Sequence, residues 1–326
     1  MSPLWLLQYL LAPALPAPAL AIPVAPRETL TVRLTGVGSS VLVIPGLFGA
    51  AEGFRQVADG LAAHGYQVIV IEPLGVGTSG RPRDADYSLT AQALRVATVL
   101  DSLHAGTALV VAHSTGAAIA YRLAVLRPAA VRGIVSLEGG PVERVGTPGL
   151  RRALAWAPLL RLLGAGAMRG RVAAQLRAAS GDPSWVTDSI VELYAAGPTR
   201  DLGATLRALK RMVTAADPWP LAPALCRIGV PVHVVLGAAP HQSGPSDADV
   251  ARLVDAVPRF TLERWEGVGH YAFAEAPGRV VDAVLRVDSA SSLYSALRAV
   301  PHPEDVAGCP HLTSGGVRAT SSALGS

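Results

Sequence analysis

Leu109-Val110-Val111-Ala112-His113-Ser114-Thr115-Gly116 is an apolar strand that turns directly into a helix. A serine on such a sharp bend has its hydroxyl pushed above the edge of the sheet, and small neighbours are needed for the bend to close. The usual pattern is Gly-x-Ser-x-Gly; here Ala112 stands in the first glycine position. The pentapeptide alone is a weak signal, since small-x-Ser-x-Gly recurs by chance around structural serines. The strand before it and the helix after it make Ser114 a candidate nucleophile. The same turn puts the backbone N–H of Thr115 at a helix N-terminus, where unpaired donors and the helix dipole favour negative charge.

Outward from this bend the chain alternates between two kinds of element. Ser39 to Ile44, Gln67 to Ile71, Ala108 to Ala112 and Val131 to Leu137 are short apolar runs that read as buried strands. Phe54 to His64, Leu89 to Leu103 and Gly116 to Leu126 carry helical patterns between them, stopped by Gly65 or Pro128. The rhythm breaks after residue 138 and resumes with a strand at Val232 to Leu236, a helix at Ala248 to Val257, a strand at Phe260 to Trp265 and a helix near Val280 to Val287. Apolar strands alternating with amphipathic helices predict an α/β fold with a mostly parallel, doubly wound sheet covered on both faces. The interruption predicts a helical cap inserted between two strands of that sheet. The expected organisation is a core over 27–138 and 226–290, with the cap over 139–225.

Half of the residues are apolar and 16% are charged, which excludes a wholly disordered chain. The net charge of +4 comes from arginine, Lys210 being the lone lysine, and no basic run interleaved with aromatics suggests nucleic acid. Cys226 and Cys309 are too few and too far apart for a metal site. Residues 1–26 are apolar, lack Lys and Arg, and are interrupted by Pro3, Pro13, Pro16, Pro18 and Pro23, which argues against a spanning helix. They read either as a signal peptide with Ala19-Leu20-Ala21 at its cleavage site or as a mobile N-terminus, so export and a cytoplasmic location both stand. Residues 291–326, rich in Ser, Ala, Gly and Thr, read as a flexible tail.

Three stretches together resemble the α/β-hydrolase superfamily over about residues 30 to 288. They are Ile44 to Gly49, Glu72-Pro73-Leu74-Gly75-Val76-Gly77-Thr78-Ser79, and the bend at Ser114. Pro45, Glu72, Val76 and Ala112 depart from the common pattern and leave the subfamily open. The resemblance implies an oxyanion hole from the backbone of Thr115 and of Leu47, with Phe48 as the alternative donor and a neighbour of the substrate. It also implies that His270, in Gly267-Val268-Gly269-His270, is the general base, since the order in this fold is Ser, acid, His.

The acid position departs from the family. An aspartate commonly follows the strand at Val232 to Leu236, and this chain has Gly237-Ala238-Ala239-Pro240 there. Asp247 and Asp249 lie further on, where Ser246 and Asp247 look like helix caps. Glu138, released by Gly139-Gly140 at the end of the strand after the nucleophile, is the preferred candidate. Some haloalkane dehalogenases take their acid from that position. Their activity does not carry over, nor does that of epoxide hydrolases, because both need an aspartate nucleophile and residue 114 is serine.

A Ser114–His270–Glu138 triad implies hydrolysis of an apolar carboxylic ester, lactone or thioester through an acyl-enzyme, with no metal and no cofactor. Trp156, Trp185 and Trp219 in the cap are candidate substrate contacts, although core packing is the commoner meaning of such residues. The cap also reads as a lid meeting an apolar small molecule or, transiently, a lipid surface. A carbon-carbon hydrolase or perhydrolase of the same fold, and a non-catalytic binding protein that kept the fold, are the alternatives.

Overall fold

The computed structural model describes residues 19–146, 148–155, 164–241 and 243–298. Eight strands form one sheet: β1 (Leu20–Ala25), β2 (Glu28–Thr35), β3 (Ser39–Ile44), β4 (Tyr66–Glu72), β5 (Ala108–His113), β6 (Val131–Leu137), β7 (Val232–Gly237) and β8 (Phe260–Trp265). Their order is β1-β2-β4-β3-β5-β6-β7-β8. The β1–β2 and β2–β4 pairs are antiparallel and every later pair is parallel.

The apolar runs are continuous because both faces of the sheet are covered. Leu42, Ile44, Ile69, Ile71, Val110 and Ala112 point into one core, with α2 (Leu89–Ser102) and α3 (Thr115–Leu126). Their neighbours Val41, Val43, Val68, Val70, Leu109 and Val111 point into the other, against α1 (Arg55–Ala63) and the long C-terminal helix Pro277–Arg298. This two-residue alternation between two cores is what a parallel sheet demands.

The chain steps from β3 to β4 on one side of β3 and then to β5 on the other. The loops after β3 and β5 therefore part at their carboxyl ends and leave a crevice between them, the usual place for a ligand in such sheets.

Between β6 and β7 lie α4 (Pro148–Ala155), α5 (Gly164–Ala178), α6 (Asp188–Arg200) and α7 (Leu202–Thr214), with no strand among the described residues there. Arg122 of α3, wholly buried, ties both ends of this insertion to the core. Its guanidinium lies 2.8 Å from Glu143 and 3.2 Å from Asp217, and it donates to the Val142 carbonyl. Glu143 in turn accepts from the N–H groups of Leu221 and Ala222. Beyond β7 the chain continues through α8 (Asp247–Ala256), β8, α9 (Ala272–Glu275) and α10 (Pro277–Arg298).

Two elements were not visible in the sequence. Leu20–Ala25, within the segment expected to be a leader or mobile end, pairs with β2 as the edge strand, and Pro23 is tolerated there because an edge strand leaves one side unbonded. Glu28–Thr35 alternates too weakly to stand out, with Leu30 and Val32 turned into the core. At the other end, α10 carries residues 291–298 of the expected tail as helix, and the Ser291 hydroxyl donates to the Arg132 carbonyl at 2.6 Å. Residues 1–18, 299–326 and Trp156 lie outside the described residues. No described helix is long and apolar enough to cross a membrane.

Candidate active site

Ser114 sits between β5 and α3 with φ 52° and ψ −121°, a left-handed conformation that side chains other than glycine rarely adopt. The bend is held by its neighbours. The Ser114 N–H donates to the Leu137 carbonyl at 2.8 Å, and a Cβ at Gly116 would overlap the Ile44 carbonyl, so only glycine lets α3 start this close to β3. Strain of this kind persists only where the surroundings impose it, and it concentrates at functional sites. Thr115 is the first residue of α3, with its N–H among the unpaired donors of the helix start.

The loop after β3 closes through Gly49 N–H to the Gly46 carbonyl at 2.9 Å. Leu47 and Thr115 line the same small apolar cavity, with Val76, Tyr87, Val145 and Met212 around them. Its volume of about 20 Å³ holds roughly one water. Phe48 is 53% exposed and does not line this cavity. The loop is braced from below by Glu72, which stands where the family pattern carries aspartate. Its buried carboxylate accepts from the N–H of Ala51 at 2.8 Å and from the N–H and hydroxyl of Thr78 at 2.6 and 2.9 Å, joining the loops after β3 and β4. The longer glutamate reaches both loops at once.

His270 follows β8 and is 6% exposed. Its backbone is fixed on two sides: its N–H donates to the Ala179 carbonyl of the cap at 2.7 Å, and its carbonyl accepts from His113 Nε2 at 3.0 Å. Burial, followed by the neighbouring His270, pushes the His113 pKa well below 6.5. The neutral ring must carry its hydrogen on Nε2 to make that bond. Glu275 gathers the same loop, accepting from the N–H groups of Gly269, Tyr271, Gly181 and Asp182 at 2.8–3.2 Å.

Glu138 directly follows β6 with φ 55° and is 3% exposed. One carboxylate oxygen, Oε1, accepts from the Gly237 N–H. The other, Oε2, is 3.7 Å from His270 Nδ1, which has no hydrogen-bond partner among the described residues. Asp249 is committed elsewhere: with Ser246 it forms a capping box at the start of α8, and it pairs with Arg252 at 2.8 Å. Asp247 is exposed in the first turn of the same helix.

Of the aromatic candidates, Trp185 is half-buried beside Tyr271, with ring centroids 5.3 Å apart, and its indole N–H donates to Ser180 Oγ at 3.0 Å. Trp219 packs against the core on the α2 and α3 side. Neither lines the small cavity; Tyr87, Val145 and Met212 do.

One residue at the site was missed. His241 Nε2 lies 3.0 Å from Glu138 Oε2, closer than His270. The signal was its place directly after Pro240 in the loop that lacks the expected aspartate. Donor atoms of Glu138, His241 and His270 all lie within 4.8 Å of one another. The short edge, His241 Nε2 to Glu138 Oε2, has hydrogen-bond length.

The match to the alpha/beta hydrolase family spans residues 41–283. An uncharacterized protein of Mycobacterium tuberculosis (Rv2715) is 28% identical over 269 residues, which cover 78% of this chain and 76% of that one. A putative carbamate hydrolase, RutD, of Azorhizobium caulinodans is 34% identical over 110 residues, covering 33% of this chain and 40% of that one. Among solved structures, an esterase from Thermogutta terrifontis superposes with a TM-score of 0.68 at 17% identity, covering 84% of this chain and 99% of the esterase. With eight strands in this order, a serine at the strand-to-helix bend and a family match over most of the folded chain, the protein is an enzyme belonging to the alpha/beta hydrolase family.

Proposed function

We propose that the enzyme is a serine hydrolase that cleaves a small or medium apolar carboxylic ester through an acyl-enzyme. The observation that carries this reading is the strained Ser114 at the start of α3, beside the loop after β3. In the proposed reaction His270 removes the Ser114 hydroxyl proton as Oγ attacks the acyl carbon. The carbonyl electrons move onto oxygen, where the N–H groups of Leu47 and Thr115 receive the charge. As the tetrahedral intermediate collapses, His270 returns the proton to the departing alcohol. A water deprotonated by the same base then releases the acid and restores the serine.

Glu138 acts through His270, stabilising the imidazolium and fixing its tautomer. The 3.7 Å separation of Oε2 from Nδ1 is the resting distance of a contact that tightens once charge develops on the ring. The apolar surroundings of Leu47 and Thr115 favour an aliphatic acyl group and strengthen the oxyanion donors by lowering the local dielectric.

A fluorophosphonate probe, with the labelled peptide identified by mass spectrometry, tests the nucleophile. Labelling of Ser114 in the wild type and its loss in Ser114→Ala are expected. A panel of p-nitrophenyl esters of increasing chain length, beside an amide and a diketone, tests the bond. Turnover of the diketone with inert esters would overturn the ester assignment in favour of carbon-carbon cleavage, and absent labelling would overturn the serine nucleophile.

A further inference from the structure

The segment after β7 supplies no acid at the usual position, yet Gly237, His241 and Gly244 surround the one at Glu138. Gly237 N–H donates to Oε1, and His241 Nε2 stands 3.0 Å from Oε2. Gly244 passes over the carboxylate at φ +122°, where a Cβ would come within 2.6 Å of Oε2.

The chemistry of the 3.0 Å contact is fixed from the far side of the ring. His241 Nδ1 lies 2.7 Å from the Ala239 carbonyl, which can only accept, so Nδ1 carries a hydrogen. A neutral ring would then turn the Nε2 lone pair onto a carboxylate oxygen. A bond at that distance requires both nitrogens to be protonated. Burial opposes the cation, but the Ala239 carbonyl, Glu138 and Glu275 together outweigh it and hold the His241 pKa above 6.5. His270 shares the same carboxylate from the loop after β8, and Asp249 of α8 is engaged by Ser246 and Arg252.

A glutamate has one more rotatable bond than an aspartate, and its terminal torsion is broad, so a single bond to Oε1 leaves Oε2 free to swing. We propose that His241 is a positioning residue that anchors Oε2 of Glu138 and so fixes the carboxylate opposite His270 Nδ1. This rests on Glu138 being the acid of the proposed hydrolase. The loop has exchanged one role for another: where it would carry the acid, it holds an acid supplied by β6.

The test uses the full chain with His241→Ala and His241→Gln, ester turnover, and NMR titration of the His241 ring in wild type and in Glu138→Gln. His241→Ala is expected to lower kcat about 10- to 100-fold with little change in KM, the rate equivalent of one hydrogen bond to a charged group. His241→Gln, whose amide nitrogen can reach the same oxygen, is expected to recover most of that loss. The ring is expected to titrate above 6.5 in the wild type and to fall back toward 6.5 in Glu138→Gln. Wild-type kcat in a folded His241→Ala protein, or a ring titrating at or below 6.5 regardless of Glu138, would overturn the proposal. If His241→Ala does not fold, the titration decides alone. Failure of the hydrolase reading shows separately, as an unlabelled Ser114.

Discussion

Ser114 and Glu138 follow adjacent strands and both have a positive φ, 52° and 55°, rare for residues other than glycine. The Ser114 N–H donates to the carbonyl of Leu137, the residue just before Glu138, so the two bends share one hydrogen bond. Both side chains are thereby lifted off the carboxyl end of the sheet by backbone strain, and on the same edge. For a non-glycine residue that conformation costs of order 1–3 kcal/mol, and two such costs side by side are maintained by the packing around them.

Replacing Glu138 distinguishes the acid from its rivals. Losing one member of such a triad typically costs about 10⁴ in turnover, so Glu138→Gln should be nearly inactive with its fold intact. Asp247→Asn should leave kcat/KM unchanged, because Asp247 is exposed in the first turn of α8. Steady-state kinetics of both variants, with circular dichroism as the check on folding, reads the outcome; the opposite ranking would move the acid to the α8 loop.

Glu275 is predicted to control the placement of His270 without taking part in the chemistry. Its carboxylate receives four backbone N–H groups, two from the histidine loop and two from the cap residues Gly181 and Asp182. Glu275→Ala orphans all four at once. A lower melting temperature and a fall in kcat larger than any rise in KM are expected, because the base is displaced relative to Ser114. Unchanged kcat in a destabilised variant would show that the loop holds its geometry without this carboxylate.

The bend at Ser114 and the loop of His270 were legible as places in the fold because their signals are local: an apolar strand running into a helix, and a histidine after the late strand. That Glu138 lies beside the His270 ring was legible from the failure of the usual position at Pro240 together with a strand-end carboxylate. His241 was signalled only by its place after Pro240, since its contact with Glu138 depends on the approach of two loops that no spacing in the sequence reports. An aromatic in a cap has the same appearance in sequence whether it lines a pocket or packs on the core; Trp219, partly buried, packs on the core, while Met212, Val145 and Tyr87 line the small cavity. The first two strands were hidden by Pro23 and by a short, half-buried alternation in which only Leu30, Thr31 and Val32 are buried.

Arg122 should matter to stability out of proportion to its distance from any bond being broken. It is wholly buried and bridges Glu143 and Asp217 at the two ends of the cap insertion. Arg122→Met keeps much of the volume but leaves the buried Asp217 without its cation, a kind of break that typically costs about 3–5 kcal/mol; Glu143, 38% exposed and still bonded to Leu221 and Ala222, adds little. Asp217 also accepts from the Thr90 N–H, so the cap is expected to loosen against α2 as well as α3. Denaturant unfolding gives the stability change, and the dependence of kcat/KM on acyl chain length gives the consequence for the cap. A loss below about 1 kcal/mol would place this network among the pairs whose desolvation cancels their attraction.

His113 predicts the direction of the pH dependence of stability. Its folded pKa lies well below 6.5 because burial, and then the neighbouring His270, oppose the cation. The unfolded chain therefore binds more protons than the folded one between those values, and stability rises with pH across that window. The contribution is complete above 6.5 and drains away as pH falls below it. His241 runs the other way: its folded pKa is raised, so its contribution is complete below 6.5 and is lost as pH climbs through the folded value. Opposite slopes on either side of 6.5 are expected to leave the stability maximum near neutrality. Melting temperatures of wild type and His113→Gln, measured from about pH 5 to 8, isolate the acid limb. Glutamine can still donate to the His270 carbonyl but does not titrate, so the limb should flatten. An unchanged acid slope in that variant would assign it to His233, whose pKa burial also lowers, or to the carboxylates, and the Nε2–H bond from His113 would then be holding the His270 backbone at no cost in acid.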